Sequence, residues 1–306
     1  MSQSSTNLLK NDEVLMPLAR NYDPNKHLFK SVYIMEKIDG VAARFTYNPD
    51  TDSYEAWTRQ NERIVSVKHL EDQLHDMFVA GRGISPDVFT ELYIPGKPFK
   101  ISSGAVRKGI QNTHIVGAIW DLDVPGSFHS RLSQIIEAIE FDDPKHLCTP
   151  ALINLRTSLG FISEEAINEA YDTLRKDSPS SVFEGVMLRD ATGQYAGFNV
   201  GRSNNMLRML KKPTADLIVE SVEEAVDKHG NPKGMVGRIN CHYKDTVIGV
   251  GPGRMDHKAR KMYFDNPHLI VGSIVQVQYK HDPTYDALRE PTFQFIRDDK
   301  TEPNWE

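Results

Sequence analysis

A lysine, an aspartate and a glycine close an alternating apolar run in the segment Tyr33-Ile-Met-Glu36-Lys37-Ile-Asp39-Gly40. Such alternation predicts a β-strand with one buried face, so Lys37 would lie near the strand end and face a cleft. Gly40 would let the backbone approach a ligand closely because it has no side chain. A lysine held in this way can act as a nucleophile once it is deprotonated. Taken alone, residues 37–40 are more typical of a solvated turn.

Further along the chain, polar or aromatic residues recur at or near the ends of other predicted strands. They are Thr58-Arg59, Glu91, Trp120-Asp121, Glu184-Gly185 and Lys211-Lys212. Strands from different parts of a sheet can bring such residues to one cleft. Reactions on a nucleoside triphosphate need this set of groups: a nucleophile, cations, a carboxylate for a metal ion and a ring that stacks on the base. Each residue also has a plainer interpretation, as an edge carboxylate, a core tryptophan or a solvated lysine pair.

The elements that would position these residues follow from hydrophobic spacing. Besides the strand of Lys37, we predict strands over 41–47, 54–58, 87–93, 115–121 and 182–189, and helices over 68–79, 127–140 and 163–176. Residues 227–234, polar with Gly and Pro, suit a linker or a hairpin and are our candidate hinge. The short strands beyond them favour a small closed barrel, with an OB-fold as the leading candidate. We therefore predict an α+β protein with one domain over 1–226 and a second over 227–306.

Composition limits the class of protein. The 306 residues are enough for two domains and a sizeable core. No apolar run is long enough to predict a transmembrane helix, and the N-terminal residues lack the pattern of a secretory signal. Cys148 and Cys241 are too few for a four-cysteine zinc site. We expect a monomer in a reducing cytoplasm, which would be that of a bacterial host if a phage encodes the chain.

The charge is unevenly distributed. The net charge of −6 argues at first against a nucleic-acid partner. From Lys228 onwards, however, 12 Lys and Arg stand against 10 Asp and Glu, whereas the residues before it carry 24 against 32. A phosphate backbone responds to the local patch and not to the sum. The candidate patch, which is equally typical of a solvated face, consists of Lys244, Arg254, Lys258, Arg260 and Lys261.

Taken in order, these residues resemble the motif series of ATP-dependent DNA ligases of the small, phage-like kind, within the covalent nucleotidyltransferase superfamily. The segments that carry the resemblance are Lys37 to Gly40, Thr58-Arg-Gln-Asn61, Phe89-Thr-Glu-Leu92, Ala118-Ile-Trp-Asp-Leu122 with Ser127 to Arg131, Phe183-Glu-Gly-Val-Met-Leu-Arg189, Gly201-Arg-Ser203 before Met206-Leu-Arg-Met-Leu-Lys-Lys-Pro213, and Arg289-Glu-Pro-Thr-Phe293 with Ile296-Arg-Asp-Asp-Lys300. The series spans roughly residues 15–300. Seven motifs in one order are a specific signal, whereas any two of them are not.

The resemblance implies ATP and Mg²⁺ as cofactors, nicked duplex DNA as the partner, and a role in DNA replication, repair or recombination. It makes Lys37 the residue that takes AMP, with Asp39 as a second catalytic residue. The implied nucleotide-binding residues are Glu36, Lys37, Arg44, Arg59, Glu91, Trp120, Lys211 and Lys212, and the implied metal ligands are Glu91 and Glu184. The implied DNA contacts are Arg254, Lys258, Arg260, Lys261, Arg289, Arg297 and Lys300.

Two departures from the family pattern affect these assignments. The arginine that the family usually has five residues after the lysine is replaced by Ala42. Arg44 lies on the same face of the predicted strand, and we expect it to do part of the missing arginine's work. In the fifth motif, the usual Lys-x-Lys is replaced by the run from Arg208 to Lys212. A slip of one residue there reverses which side chain faces the cleft.

Two other functions fit parts of the series. An RNA ligase or a GTP-using capping enzyme shares the lysine motif, although the final motif and the Phe183–Met187 segment favour a DNA ligase. A degenerate adenylation fold that only binds nucleic acid is the non-enzymatic alternative, and Ala42 is its motivation. The nucleotide that labels the protein, and the presence or absence of a Lys37 adduct, separate the three.

Overall fold

The structure is a computed structural model that describes residues 16–178, 182–194, 202–211, 213–282 and 287–305. The chain divides into two compact units, the first ending at Leu210 and the second beginning at Lys211. No helix in the described ranges is long and apolar enough to cross a membrane. Both units combine β-sheet with α-helix, as the predicted α+β class requires.

Two five-stranded sheets form the framework of the first unit. Its strands are β1 (Leu18–Asn21), β2 (Ser31–Ile38), β3 (Val41–Asn48), β4 (Ser53–Thr58), β5 (Val88–Tyr93), β6 (Val116–Leu122), β7 (Leu147–Cys148), β8 (Leu152–Arg156), β9 (Phe183–Asp190) and β10 (Arg202–Met209). One sheet has the order β4-β3-β5-β6-β7 and the other the order β1-β10-β9-β2-β8. Pairing is antiparallel except between β1 and β10 and between β6 and β7.

Helices cover these sheets where apolar side chains recur at helical spacing. They are α1 (Lys68–Leu74), which continues as a π-helical turn over His75–Ala80, α2 (Phe99–Val106), α3 (Phe128–Asp142) and α4 (Glu164–Asp177). Ser127 and Ser163 cap α3 and α4, since each hydroxyl accepts a hydrogen bond from a main-chain N–H of the first turn. α4 packs its apolar face on Val32 and Ile34 of β2, and the opposite face of β2 packs on α3. The strand that carries Lys37 is therefore covered on both faces.

The elements of the second unit are β11 (Thr214–Val226), β12 (Pro232–Tyr243), β13 (Thr246–Val250), α5 (His257–Asp265), a 3₁₀ turn over Pro267–Leu269, β14 (Ile274–Asp282) and β15 (Ala287–Ile296). The strands form one antiparallel sheet of order β13-β12-β11-β14-β15, and α5 lies between β13 and β14 in the chain. Main-chain hydrogen bonds also join the two edges of the sheet, from Gly251 N–H to the Pro291 carbonyl at 2.9 Å and from Phe293 N–H to the Gly251 carbonyl at 3.0 Å. The sheet thus closes on an apolar core that includes Val219, Ile239 and Val275.

Most predicted strands and helices are confirmed, but the division of the chain falls earlier than expected. Residues 211–226, which we assigned to the first domain, belong to the second unit as its first strand. The candidate hinge at 227–234 includes the turn of a hairpin between β11 and β12, in which Val226 pairs with Pro232. The Asp227 carboxylate fixes this turn by accepting bonds from the His229 and Asn231 main-chain N–H groups.

Closure of the second sheet predicts a specific demand for glycine at position 253. Gly253 has φ of +51°, and a Cβ there would lie against the Phe293 carbonyl, well inside van der Waals contact. Gly234 has a similar φ of +60° but open space around its missing Cβ. Gly234→Ala should therefore cost only the left-handed strain, about 1–2 kcal/mol. Gly253→Ala should cost about 3 kcal/mol or more because overpacking is added.

Amide hydrogen exchange of β11 to β15 in the full-length variants measures this difference. Equal losses of protection in Gly253→Ala and Gly234→Ala would show that the approach of Phe293 does not constrain position 253.

Candidate active site

A cavity of about 270 Å³ in the first unit brings together residues from both sheets. Among its lining residues are Glu36, Lys37, Ala42, Arg59, Glu91, Trp120, Met187, Arg189, Arg202 and Arg208, with residues 17–19 of β1 and its approach forming part of the wall. Lys37, Arg59, Glu91 and Trp120 were predicted to converge on one cleft from four separate strand ends. The structure places all four in this cavity.

Lys37 is held by an ion pair with Glu184. Pairing of β2 with β9 sets Lys37 opposite Gly185, so the neighbouring Glu184 carboxylate receives the lysine ammonium. The lysine side chain is 25% exposed and that of Glu184 is 12% exposed. Gly185 has φ of +154°, and a Cβ there would lie 2.5 Å from the Met209 carbonyl. Glycine at this position is therefore what allows β10 to pass so close behind the pair.

Gly40 has a similar role on the other side of the lysine. A Cβ at Gly40 would lie 2.6 Å from the Leu92 carbonyl and 2.9 Å from Cγ of Glu91. The glycine predicted to permit close approach of a ligand thus permits close approach of β5. As a result, the Glu91 carboxyl comes close enough to Lys37 for the two charges to interact.

The electrostatics of Glu91 show how these charges act on each other. Burial raises the pKa of Glu91 to about 7. Lys37 and Arg59 pull this pKa down, whereas the carboxylates of Glu184 and Asp39 push it up. The four neighbours that act on Glu91 were all predicted site residues. Asp39 therefore belongs to the same group of interacting charges. Its main-chain N–H donates to the Val182 carbonyl at 2.7 Å.

These three carboxylates fit a Mg²⁺ ion only in part. Oxygen ligands are the chemistry that Mg²⁺ prefers, and the mutual repulsion of Glu91, Glu184 and Asp39 is the kind that a bound cation relieves. Within the described ranges, however, no three Asp, Glu, His or Cys side chains are grouped so as to hold a metal ion by themselves. Mg²⁺ commonly completes its shell with water and substrate phosphates. The three carboxylates alone would therefore supply only part of such a shell.

Trp120 lies on β6 with its ring stacked on Phe89, at a centroid distance of 5.1 Å and an interplanar angle of 23°. The next residue, Asp121, is buried and pairs with both Arg131 and Arg189. The Arg189 guanidinium also lies over the Phe128 ring, 3.9 Å from its centroid. A buried network thus holds the strand segment that carries the tryptophan.

Several predicted residues lie elsewhere or have other contacts. Arg44 shares a strand face with Ala42 as predicted, but its Nε donates to Asp87 at 3.0 Å, and it is not among the described lining residues. The Glu36 carboxylate accepts a bond from Ser178, and burial raises the pKa of Glu36. Lys211 belongs to the second unit, and Lys212 lies outside the described residues.

Sequence reasoning missed three arginines of the cavity. Arg189, Arg202 and Arg208 line it, and the last two lie on β10. Arg208 donates from Nε to the Asn21 side chain at 2.8 Å, and Arg202 donates to the Ala19 carbonyl at 2.8 Å. The signal was the alternation from Arg202 through Met206 to Arg208, which puts these three side chains on one strand face. If the alternation continued beyond β10, the Lys211 side chain would lie on the opposite face of the strand.

The residues predicted to contact DNA in the second unit divide into two groups. Arg254 and Lys258 are exposed, and neither has an acidic partner within 4 Å in the part of the chain that is described. Arg260 donates to the Val236 carbonyl at 2.7 Å, and Lys261 pairs with Asp265 at 3.1 Å. Arg297 and Lys300 both pair with Asp216, and Arg297 also pairs with Asp299, lowering the pKa of Asp299 to about 2. Arg289 is half-buried on β15.

The raised pKa of Glu91 predicts a pH-dependent effect on stability. The pKa of Glu91 is higher in the folded state than in the unfolded state. This difference adds to the free energy of unfolding below pH 4.5, and the contribution is lost as the pH rises through about 7. Glu91→Gln removes the ionised form and should therefore stabilise the protein more at pH 8 than at pH 4.5. Chemical denaturation at both pH values measures it, and Glu55→Gln, on the edge strand β4, is the control. A stability change in Glu91→Gln that does not vary with pH would contradict the assigned pKa.

Comparisons with known proteins were made on sequence and on structure. No family model and no curated protein matches the chain. A solved structure named Pmar-Lig_Pre. matches with a TM-score of 0.76 and 19% identity over 94% of this chain and 68% of that one. A structure from an analysis of DNA binding by Lig E DNA ligases matches with a TM-score of 0.69 and 21% identity over 92% of this chain and 98% of that one.

The ATP-dependent DNA ligase of bacteriophage T7, in complex with ATP, matches with a TM-score of 0.50 and 13% identity over 93% of this chain and 99% of that one. These alignments cover more than nine-tenths of the chain, so most of the chain shares the fold of these proteins.

Proposed function

We propose that this chain is an ATP-dependent DNA ligase that seals nicks in duplex DNA through a lysine–AMP intermediate. The observation that carries the proposal is the Lys37–Glu184 pair in a cavity that also holds Glu91, Arg59 and Trp120. The fold shared with Lig E DNA ligases and with the T7 enzyme supports it. In this proposal, residues up to Leu210 form the adenylation domain.

The first step is attack of the Lys37 amine on the α-phosphorus of ATP. The Lys37 ammonium first loses a proton. A bond then forms between Nζ and phosphorus, the bond from phosphorus to the pyrophosphate oxygen breaks, and Nζ gives up a second proton. Glu184 is hydrogen-bonded to Nζ and is placed to accept the first of these protons, and water takes the second. Arg59 and Arg208 line the same cavity and supply positive charge for the phosphates.

The remaining lining residues would hold the rest of the nucleotide. Trp120 offers a ring for the adenine, and Glu91 has an oxygen pair that can accept bonds from ribose hydroxyls. Glu91 and Glu184 would supply ligands to Mg²⁺, whose chemistry when bound is to neutralise phosphate charge. The role as a metal ligand needs ionised Glu91, and a bound cation lowers its pKa.

Two further transfers complete the reaction. An oxygen of the 5′-phosphate at the nick attacks the phosphorus of the Lys37 adduct, which breaks the phosphorus–nitrogen bond and returns the lysine. The oxygen of the 3′-hydroxyl then attacks the 5′-phosphorus and forms the phosphodiester bond, while the bond from that phosphorus to the bridging oxygen of AMP breaks, AMP leaves and the hydroxyl proton passes to water. Asp39, beside the lysine and electrostatically coupled to Glu91, is our candidate for aligning the nick.

We further propose that the second unit is an OB-fold that binds the DNA. This topology is supported by the strand order β13-β12-β11-β14-β15 and by the main-chain hydrogen bonds that join the two edges of the sheet. The position of α5 between β13 and β14 in the chain also supports it. Arg254 and Lys258 are its candidate phosphate contacts. The ion pairs of Lys261, Arg297 and Lys300 make these three weaker candidates than the sequence suggested.

Adduct mapping tests the proposed activity. Incubation with ATP and Mg²⁺ should attach one AMP to the peptide that contains Lys37, and GTP should leave the protein unlabelled. Lys37→Arg, which keeps the charge but cannot form a stable adduct, should lose the label completely. Labelling by GTP would indicate a capping-type enzyme, and an adduct on another lysine such as Lys211 would contradict the assignment.

The role of the second unit predicts a uniform effect on DNA binding. Arg254→Ala combined with Lys258→Ala should weaken binding of nicked duplexes of different sequence alike, because phosphates carry no base identity. The salt dependence of the dissociation constant should become shallower by about two units of log–log slope. The matched control is Lys228→Ala with Lys233→Ala, which removes the same charge at and beside the β11–β12 turn. An unchanged slope in the Arg254 and Lys258 variant would mean that these side chains are simply solvated.

A further inference from the structure

The loop between β8 and α4 presents apolar side chains to solvent at the edge of its sheet. Its two ends are fixed side by side, since the N–H groups of Thr157 and Ile162 donate at 3.0 and 2.8 Å to the carbonyls of the adjacent residues 30 and 29. Between these anchors, Leu159 is 85% exposed and Phe161 is 53% exposed. The loop therefore projects from the sheet with apolar groups at its tip.

Local hydrogen bonds preorganise this tip. The Thr157 hydroxyl donates to the Leu159 carbonyl at 2.7 Å, and its oxygen accepts a bond from the Leu159 N–H at 3.3 Å. Leu28, directly before the segment that anchors the loop, is 56% exposed as well. Large apolar side chains grouped on a surface mark an interaction site more often than single ones do. Because the tip is already ordered, a partner would bind it at little entropic cost.

Two cations lie on one side of the loop. Arg156 is opposite Ser31 in the pairing of β8 with β2, so its side chain lies on the face of the sheet away from Val32. There Arg156 and Lys30 line a depression of about 540 Å³. Both cations are exposed, and neither is in a salt bridge with another described residue.

Two carboxylates lie on the other side of the loop, at the start of α4. Glu164 and Glu165 are exposed in its first turn, and neither is in a salt bridge within the described part of the chain. The helix packs on Val32 and Ile34, which face away from Arg156. The projecting loop thus separates two cations from two carboxylates.

We propose that this loop is the centre of an interface between two copies of the chain, related by a two-fold axis. A surface with cations, apolar groups and carboxylates in this order is complementary to itself, because a two-fold rotation sets the cations of each copy against the carboxylates of the other. Arg156 would face Glu164 of the second copy, and Leu159 and Phe161 would pack against their counterparts. A partner with charge of one sign would leave either the cations or the carboxylates without a counter-charge.

The interface should be weak. Leu28, Leu159 and Phe161 supply its apolar contact from each copy, which is much less than stable interfaces of about 20–30 residues a side provide. We therefore expect a dissociation constant on the order of 10–100 µM. Such a dimer would replace the monomer expected from the sequence.

The interface is also remote from the proposed reaction. The loop adjoins the start of β2, whereas Lys37 is near the other end of that strand, about 20 Å away. Association of two copies therefore does not depend on the proposed ligase function, and adduct formation on Lys37 reports on that function separately.

Sedimentation equilibrium of the full-length protein, from about 1 µM to about 300 µM, spans the expected dissociation constant. Wild-type protein should approach the mass of a dimer at the upper end. Leu159→Ser should remain a monomer because the apolar centre is lost. The matched control is Phe141→Ser, which removes an apolar side chain that is 82% exposed at the end of α3, and it should match the wild type.

Reversal of charge then tests the two-fold arrangement. Arg156→Glu and Glu164→Arg should each weaken association at least about tenfold, since each sets like charges together twice in a dimer. An equimolar mixture of the two variants should associate as the wild type does, because in the mixed dimer the two introduced charges face each other and the two unchanged residues face each other. Wild-type protein that stays a monomer throughout, dimers of Leu159→Ser as strong as those of the wild type, or a mixture that associates no better than its separate components would each overturn the inference.

Discussion

The pairing of Lys37 with Glu184 is the interaction on which the arrangement of the site depends. It exists because β2 and β9 are adjacent antiparallel strands whose register sets Lys37 opposite Gly185. Two glycines make this register usable, since Gly40 admits β5 on one side and Gly185 admits β10 on the other. A side chain at either position would push away the strand that carries the next functional group. The same backbone packing therefore determines the fold and the distance between the reacting charges.

Crowded charge is the consequence of that packing. The carboxyl of Glu91 is brought toward Lys37 but also toward Glu184 and Asp39, and burial leaves its pKa near neutrality. A cluster of this kind is costly for an empty site and favourable for one that receives a polyphosphate with its metal ion. The cations of the second unit are arranged differently. Arg297 and Lys300 are neutralised by Asp216, which fastens the C-terminal segment to β11, whereas Arg254 and Lys258, just before and within α5, are exposed.

The sequence was sufficient for those features that depend on local pattern. Alternation predicted β2, β3 and β9, and helical spacing predicted α3 and α4, because one face of each is buried. The residues at strand ends were predicted for the same reason. Short strands such as β7 and the Ser-Gly-containing helix α2 carry no such pattern, and they form because neighbouring strands and side chains supply their contacts.

Long-range contacts decided the remaining residues. Arg44 has the right strand face, yet Asp87 on an adjacent segment of the sheet takes its guanidinium. The composition of residues 227–234 suits a linker or a hairpin, and pairing of the strands on both sides makes them part of a hairpin. The fifth motif predicted Lys211 and Lys212 as nucleotide-binding residues. Arg208 lines the cavity instead, because of the register of β10 against β9. The choice of Asp87 as the partner of Arg44 is not visible in a window of neighbouring residues.

Transfer from the isolated adduct is the most direct test of the proposed activity. Protein carrying labelled AMP would be freed of ATP and mixed with a duplex that has a single nick with a 5′-phosphate. The account predicts that the label leaves the protein, appears briefly on the 5′-phosphate of the DNA and is released as AMP, while one sealed strand forms per labelled protein. Label that stays on the protein in the presence of the nick, or that moves only to an RNA end, would contradict it.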